Sequence, residues 1–556
     1  MRKRDFLKIF FIATFIVFLS FAGCFFVDRI LEESKVQATA GAESATVDVS
    51  SFGQLKEEAE GGTKSIRITS DIVSTDTIFV PGDTTIYVDA SHTITRHEDF
   101  LGDMFVIGTD KDDKNPIVET GKASKLTLKT NNGAKLFIDG NETNVTGTVC
   151  GTAFMTVNTA EFNTYDGVVI QNHKKLGNER TLKYRVSYPT EIGGAAVIIT
   201  SGSYNMYGGE ILNCGTNEDE DTTDVSAQGG AIYNFGQFNM YGGKIQGCFA
   251  SRGGALYNYK IAKIFAGELL QNSATVYGGA VYNPNSQYSN LNIGDYGTDI
   301  KVNISSNTTE GSGGAIFSSV AASVFVPGST RFAYNTAGSN GGAINSPGAN
   351  IIKNTVFEEN EAESKGGALY VYHNKATATV RHTVLDNVTF IKNTSASGGG
   401  AIGTGSSTSD YAYPGSTVFV NNCKFSQNQS KQGGAVYVIR QCFVKIYNCE
   451  MIENKATQYG GAIYITGKST MIIEKTKANE NDATSSGGFL YLTTGGTTVK
   501  IIGGEALDNT APESKGSTIW TNATAVVLQI KGTTTKQYFN YNGEILGKGE
   551  VVEYEA

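Results

Sequence analysis

Proline, histidine and tryptophan are scarce in this chain, at 8, 5 and 1 of 556 residues. No stretch shows a helical apolar period long enough to found an α-helical domain. Thr, Ser, Asn, Val, Ile and Tyr dominate instead, which suits strands and tight turns. Beyond the first eight residues there is no Lys/Arg cluster, and the net charge is −9. That balance excludes a nucleic-acid partner, which calls for basic patches. The five histidines, His92, His97, His173, His373 and His382, lack metal-ligand spacing. No nucleophile elbow and no phosphate loop is written. Seven cysteines in a chain this long do not make a disulfide-dense scaffold.

Only one apolar run is long enough to span a membrane, and it lies at the start. Met1–Lys8 is basic, and Ile9–Val27 is continuously apolar. Residues 1–27 therefore read as a signal peptide or N-terminal membrane anchor, with 28–48 as a linker. Three outcomes stay open. The segment is cut after the A-x-A site at Ala38–Ala40, or lipidated at Cys24 in the lipobox-like FAGC, or retained as an anchor. All three place the remainder outside the cytoplasm, with membrane contact only through this segment.

What the chain has in excess is glycine, 66 residues, and much of it is periodic. Gly-Gly-Ala followed by an aliphatic residue starts at Gly229, Gly253, Gly278, Gly313, Gly341, Gly366, Gly399, Gly433 and Gly460, with GGFL at Gly487. The spacing, about 24 to 35 residues, is that of a solenoid. Upstream stands an FxxN element, ending at Asn335, Asn360, Asn393 and Asn428, with looser copies ending at Asn454 and Asn481. A third element, MYGG, begins at Met206 and Met240. Each unit thus holds short strands between Gly or Asn turns. One such coil cannot bury its own inner face, so coils must stack, and the fold class expected is all-β, a right-handed parallel β-helix.

Strand alternation then assigns the residues. In GGAIYIT, Ile463 and Ile465 point inward, and Ala462 and Tyr464 point the other way. Glycine supplies left-handed backbone or close approach at the corner. Asn335, Asn360, Asn393, Asn428, Asn454 and Asn481 should stack as an amide ladder, Asn tolerating the left-handed conformation. Asn354, Asn387, Asn422 and Asn448 suggest a shorter second ladder. Cys423 and Cys449 hold one repeat position in neighbouring coils, and Cys214 and Cys248 another, where other coils carry the Asn. Each pair is either two buried thiols or within reach of a disulfide.

The GGA[ILV] and FxxN pairing resembles the repeat of the chlamydial polymorphic outer membrane proteins and, with MYGG, bacterial right-handed β-helix surface and adhesin-like proteins. The resemblance covers about residues 190–515. It implies an adhesin-like role at a cell surface. Those outer membrane proteins end in a membrane β-barrel, whereas GEVVEYEA closely follows the repeats here. Self-translocation is therefore not among the implied properties.

Residues 49–190 read as an N-terminal cap and irregular first coils, 191–515 as the repeat coils, and 516–556 as the last coil and a C-terminal cap. Phe52, Leu55 and Ala59 share a helical face behind a serine, so a short capping helix is expected over Ser50–Glu60. Trp520 is read as cap packing ahead of a ligand platform.

For function, one candidate is an outward tyrosine column: Tyr233, Tyr257, Tyr282, Tyr370, Tyr437, Tyr464 and Tyr491, with Phe317 in register and Asn345 and Gly403 as breaks. Aromatics on a solenoid face either bind a partner or simply stack. The expected function is binding of a glycan, matrix or cell-surface partner, without catalysis. Pectin-lyase-like β-helices include polysaccharide lyases and hydrolases, and that alternative stays open, as does a structural surface-layer role. For it the sequence offers only TYDG at Thr164–Gly167, without a paired-carboxylate motif. No cofactor is expected, weak calcium binding in the acidic loops at Asp110, Asp112, Asp113 and Glu218–Asp221 being the alternative.

Overall fold

The computed structural model describes residues 45–109, 124–145, 151–175, 193–216, 227–286, 288–319, 322–347, 350–373, 382–406, 415–522, 527–531, 539–548 and 550–554. Cys24, the Ala38–Ala40 site and both acidic loops lie outside these residues. Among the described residues, the strands of the unit Val47–Ala556 form three parallel sheets, of 32, 16 and 11 strands. A full coil gives two strands to the first sheet, one to the third and one to the second. Thr417–Asn421, Lys424–Ser426, Gln429–Gln432 and Val436–Val438 make one such coil. Each pairs in parallel with its equivalent one coil on. The chain is a parallel β-helix. Its early strands Val47–Val49, Ser65–Ile68, Asp83–Val88 and Lys125–Thr130 pair in succession and lead into the repeat coils.

The two glycines of the repeat have different tasks. The first has a left-handed backbone, with φ of 61° at Gly433 and 67° at Gly460. The second lies under the next coil, where a Cβ on Gly434 would stand 2.1 Å from the Gly461 carbonyl oxygen. Coils can stack at the parallel-strand spacing only without a side chain there. Ala462 departs from the alternation expected of it. It is fully buried in the core with Ile463 and Ile465, because the strand begins one residue later. The FxxN phenylalanines also point inward. Phe332, Phe357, Phe390 and Phe425 stack with ring centroids 5.0, 5.1 and 4.9 Å apart. Each buried ring contributes roughly 2 kcal/mol of apolar transfer.

The asparagine ladder is present, on a different backbone footing from the one expected. The left-handed residue is the one before each ladder Asn: Tyr334, Glu359, Lys392, Gln427, Glu453 and Glu480, with φ between 50° and 58°. The ladder amides themselves satisfy the corner. Asn393 Nδ2 donates to the Phe357 carbonyl of the preceding coil at 3.0 Å, and its Oδ1 accepts the Asn360 backbone N–H at 3.0 Å. The pattern repeats from Asn272 to Asn509. Below Asn272 the same column holds other donors. Cys248 Sγ donates to Ile211 O at 4.0 Å, Cys214 Sγ to Ile170 O at 3.9 Å, and His173 Nε2 lies 3.2 Å from Ile138 O. The second ladder is left-handed itself, with φ of 43° to 54° at Asn354, Asn387, Asn422 and Asn448.

A helix, Phe52–Glu60, is capped by Ser51, whose Oγ accepts from the Gln54 N–H at 3.4 Å. It buries Leu55 and Ala59 and packs on the strands Val47–Val49, Ser65–Ile68, Ile72–Ser74 and Ile78–Val80. It shields the first coil as a cap should.

Candidate functional site

The tyrosine column forms in the expected register on the outer face of the second sheet. Tyr233 pairs with Tyr257, Tyr257 with Tyr282, Tyr437 with Tyr464, and Tyr464 with Tyr491. Its rings are occupied with one another. Centroids lie 4.9 Å apart for Tyr233–Tyr257, 5.5 Å for Tyr257–Tyr282, and 5.3 Å on both sides of Tyr464. Other aromatics cover the edges. Phe235 meets Tyr233 edge-on at 4.7 Å, Tyr277 stacks on Phe317 at 4.3 Å, and Tyr459 meets Tyr491 at 4.6 Å. Tyr233, Tyr257, Tyr464 and Tyr491 are buried, and Tyr282, Tyr370 and Tyr437 half-buried.

The break at Gly403 is a packing device. A Cβ there would stand 3.0 Å from the Tyr370 ring, and one on Gly405 would stand 2.6 Å from the Tyr370 hydroxyl. Burial pushes the Tyr464 and Tyr370 phenols up, and that of Tyr491 to about 12. They are neutral at physiological pH, and Tyr464 has a ring on each side. The buried members of the column pack against one another, and Tyr282, Tyr370 and Tyr437 keep part of their surface exposed. Trp520 extends it, in register with Tyr491 and under the Lys515 ammonium.

A second aromatic ladder, at the corner between the two strands that each coil gives to the first sheet, does reach the surface. Tyr165, Tyr207, Tyr241 and Phe265 stack with centroids 5.0, 5.0 and 5.1 Å apart, within 18° of parallel. Tyr165 is 41% exposed and Tyr207 37%. Beside the rings runs a chain of nearly buried amides. Asn239 Nδ2 donates to Asn205 Oδ1 at 2.7 Å, Asn205 Nδ2 to Asn163 Oδ1 at 2.9 Å, and Asn163 Nδ2 to the Glu161 carboxylate at 2.6 Å. Burial first, then the neighbouring phenols, pushes Tyr207 up to about 12. The result is a row of neutral phenols, one coil apart, over a rigid polar floor. The tyrosine of MYGG was the available signal, since Tyr207 and Tyr241 hold the same place beside Gly209 and Gly243, both with φ of 87°. TYDG is the same corner one coil earlier, with Gly167 at φ 83°, and so reads as coil geometry.

The histidines are dispersed. His97 lies beside Glu98 and Asp99 in an exposed group, His173 belongs to the ladder column, and His382 tilts over Phe419 at 5.9 Å. Cys214, Cys248, Cys423 and Cys449 are all buried free thiols.

Two segments, residues 354–372 and 387–405, match the Chlamydia polymorphic membrane protein (Chlamydia_PMP) repeat. Each runs from a second-ladder asparagine through FxxN and the Gly-Gly-Ala corner to the following strand. No curated protein and no solved structure matches the chain. It is a parallel β-helix repeat protein in which these two segments match the polymorphic-membrane-protein repeat.

Proposed function

We propose that this protein is exported and acts at a cell surface, or as a secreted molecule, by binding a glycan, matrix or cell-surface partner in the manner of an adhesin. The export reading rests on the basic start and apolar run of residues 1–27, and the surface reading on the polymorphic-membrane-protein repeat. The observation that carries binding is the half-exposed ladder Tyr165–Tyr207–Tyr241–Phe265. Rigid aromatics with one polar edge give contact area at little entropic cost, which is why they are enriched where proteins meet partners. Their hydroxyl-bearing edges recur about every 5 Å, so the ladder suits an extended ligand lying along the solenoid axis.

A glycan and matrix-protein array probed with the purified protein tests this, with Tyr207→Ala/Tyr241→Ala and Tyr437→Ala compared at equal folded fraction. Retention lost in the first variant and kept in the second supports the reading. Retention unchanged in the first moves the site elsewhere, and no retention on any surface counts against binding. Release of shortened oligosaccharides from a retained glycan would favour the polysaccharide lyase or hydrolase instead.

A further inference from the structure

Cys423 and Cys449 stand at the corner between the two strands that each coil gives to the first sheet. Each follows a left-handed asparagine, Asn422 at φ 54° and Asn448 at φ 52°. The register Lys424↔Glu450 and Asn421↔Tyr447 sets the two cysteines directly opposite in consecutive coils. Parallel neighbours of this kind lie about 4.8 Å apart, inside the Cα separations a disulfide spans. The Cys423 backbone N–H donates to Cys449 Sγ at 3.3 Å, which holds the Cys449 sulfur against the neighbouring coil at Cys423. The neighbouring coils place Thr355, Val388 and Thr476 in this column, residues of similar size, so a thiol is not required there for packing.

The corner also opens to the surface. A cavity of about 250 Å³ is lined by both cysteines and by Lys424, Lys475, Lys477 and Glu450. Lys424 is paired with Glu450 and Lys477 with Glu505 across neighbouring coils. The pair is polarised. The hydrogen bond from the Cys423 thiol holds Cys449 below the usual thiol range, while burial pushes Cys423 up. Cys214 and Cys248 stand instead in the ladder column, while at this corner Cys423 Sγ lies 3.1 Å from the Asn421 carbonyl and Cys449 Sγ 3.6 Å from the Val420 carbonyl.

We propose that Cys423 and Cys449 form a dithiol site that closes to an inter-coil disulfide by exchange with an external disulfide. The Cys449 thiolate attacks one sulfur of the incoming disulfide. That S–S bond breaks, and one half leaves as a thiolate that takes up a proton. The Cys423 sulfur, losing its proton, then attacks Cys449 Sγ and expels the second half. Two protein thiols are oxidised, and one external disulfide is reduced to two thiols. The cavity admits the reagent. The product is a covalent clasp between consecutive coils.

The test uses the full reduced protein and a dipyridyl disulfide, read by peptide mass mapping. The expected product is a Cys423–Cys449 cross-linked peptide, with Cys449 reacting at least about tenfold faster than the buried Cys442. Cys423→Ser should instead hold a stable mixed disulfide at Cys449, and Cys449→Ser should leave Cys423 unmodified over the same time. A monosubstituted trivalent arsenical, which needs paired thiols, should bind the unmodified protein and neither variant. A mixed disulfide persisting on Cys449 of the unaltered chain would overturn the proposal. So would two cysteines that react only after unfolding.

Discussion

The side-chain oxygen of Asn428 accepts both the backbone N–H and the Nδ2 of Asn393, one coil earlier, at 3.0 Å each. One amide thus closes two donors, and Asn393 does the same for Asn360. Asn393→Ala would strand the Phe357 carbonyl and the Asn360 N–H in a dry corner, at a cost of about 3 kcal/mol. Asn393→Asp should be no better, because a carboxylate cannot donate to Phe357 and brings a buried charge. Urea unfolding measures both, and a loss below about 0.5 kcal/mol for the alanine would make the ladder amide dispensable.

Two glycines should respond in opposite directions. Gly434→Ala places a methyl 2.1 Å from the Gly461 oxygen and 2.6 Å from the Lys455 nitrogen, both backbone atoms. A loss above about 2 kcal/mol is expected, since the stack itself must shift. Gly53 lies in the capping helix, and a Cβ there meets nothing within 4 Å. Gly53→Ala should raise stability by about 0.5–1 kcal/mol. Thermal unfolding separates the two, and a neutral Gly434→Ala would contradict the close approach.

His173 gives the fold an acid sensitivity. Burial, reinforced by the Arg96 charge, lowers its pKa from 6.5 to about 3. Between those values the unfolded chain holds the extra proton, so this contribution is complete above the unfolded pKa and declines as pH falls toward the folded one. The slope approaches about 1.4 kcal/mol per pH unit. His173→Asn restores a ladder amide able to donate to Ile138 O, and should flatten the difference between urea midpoints at about pH 4.5 and about pH 7. Parallel pH profiles in the two proteins would place the sensitivity elsewhere.

The two aromatic ladders should separate stability from binding. Tyr464 is 9% exposed between two rings, so Tyr464→Ala should cost about 3 kcal/mol while Tyr464→Phe costs under about 1 kcal/mol. Tyr207→Ala, at a half-exposed position, should cost about 1 kcal/mol and show its main effect in ligand retention. A large stability loss at Tyr207 with retention unchanged would reverse these roles.

Much of the architecture was legible because every coil must solve the same corner. Gly-Gly-Ala and FxxN recur as often as the backbone needs a left-handed turn, a close approach and an inward ring. The left-handed residue before each ladder Asn was not legible. Tyr334, Glu359 and Lys392 share no chemistry, their side chains pointing out while the following amide holds the turn. His173 was unreadable as a ladder member for a related reason, since an imidazole replaces an amide only where its nitrogen meets the right carbonyl. Tyr233 and Tyr464 were assigned the correct outward direction. Their burial depended on rings of adjacent coils, Tyr257 on Tyr233, and Tyr437 and Tyr491 on the two sides of Tyr464.

The sequence by itself determined the stacked-coil fold, the inward residues, the capping helix and the alignment of the cysteines, because period and alternation are local and each coil repeats them. Tertiary structure alone decided which aromatic column is mostly buried and which is half-exposed, and which cysteine pair lines a cavity. Exposure is set by neighbours distant in the chain, and no repeat unit carries that information within itself.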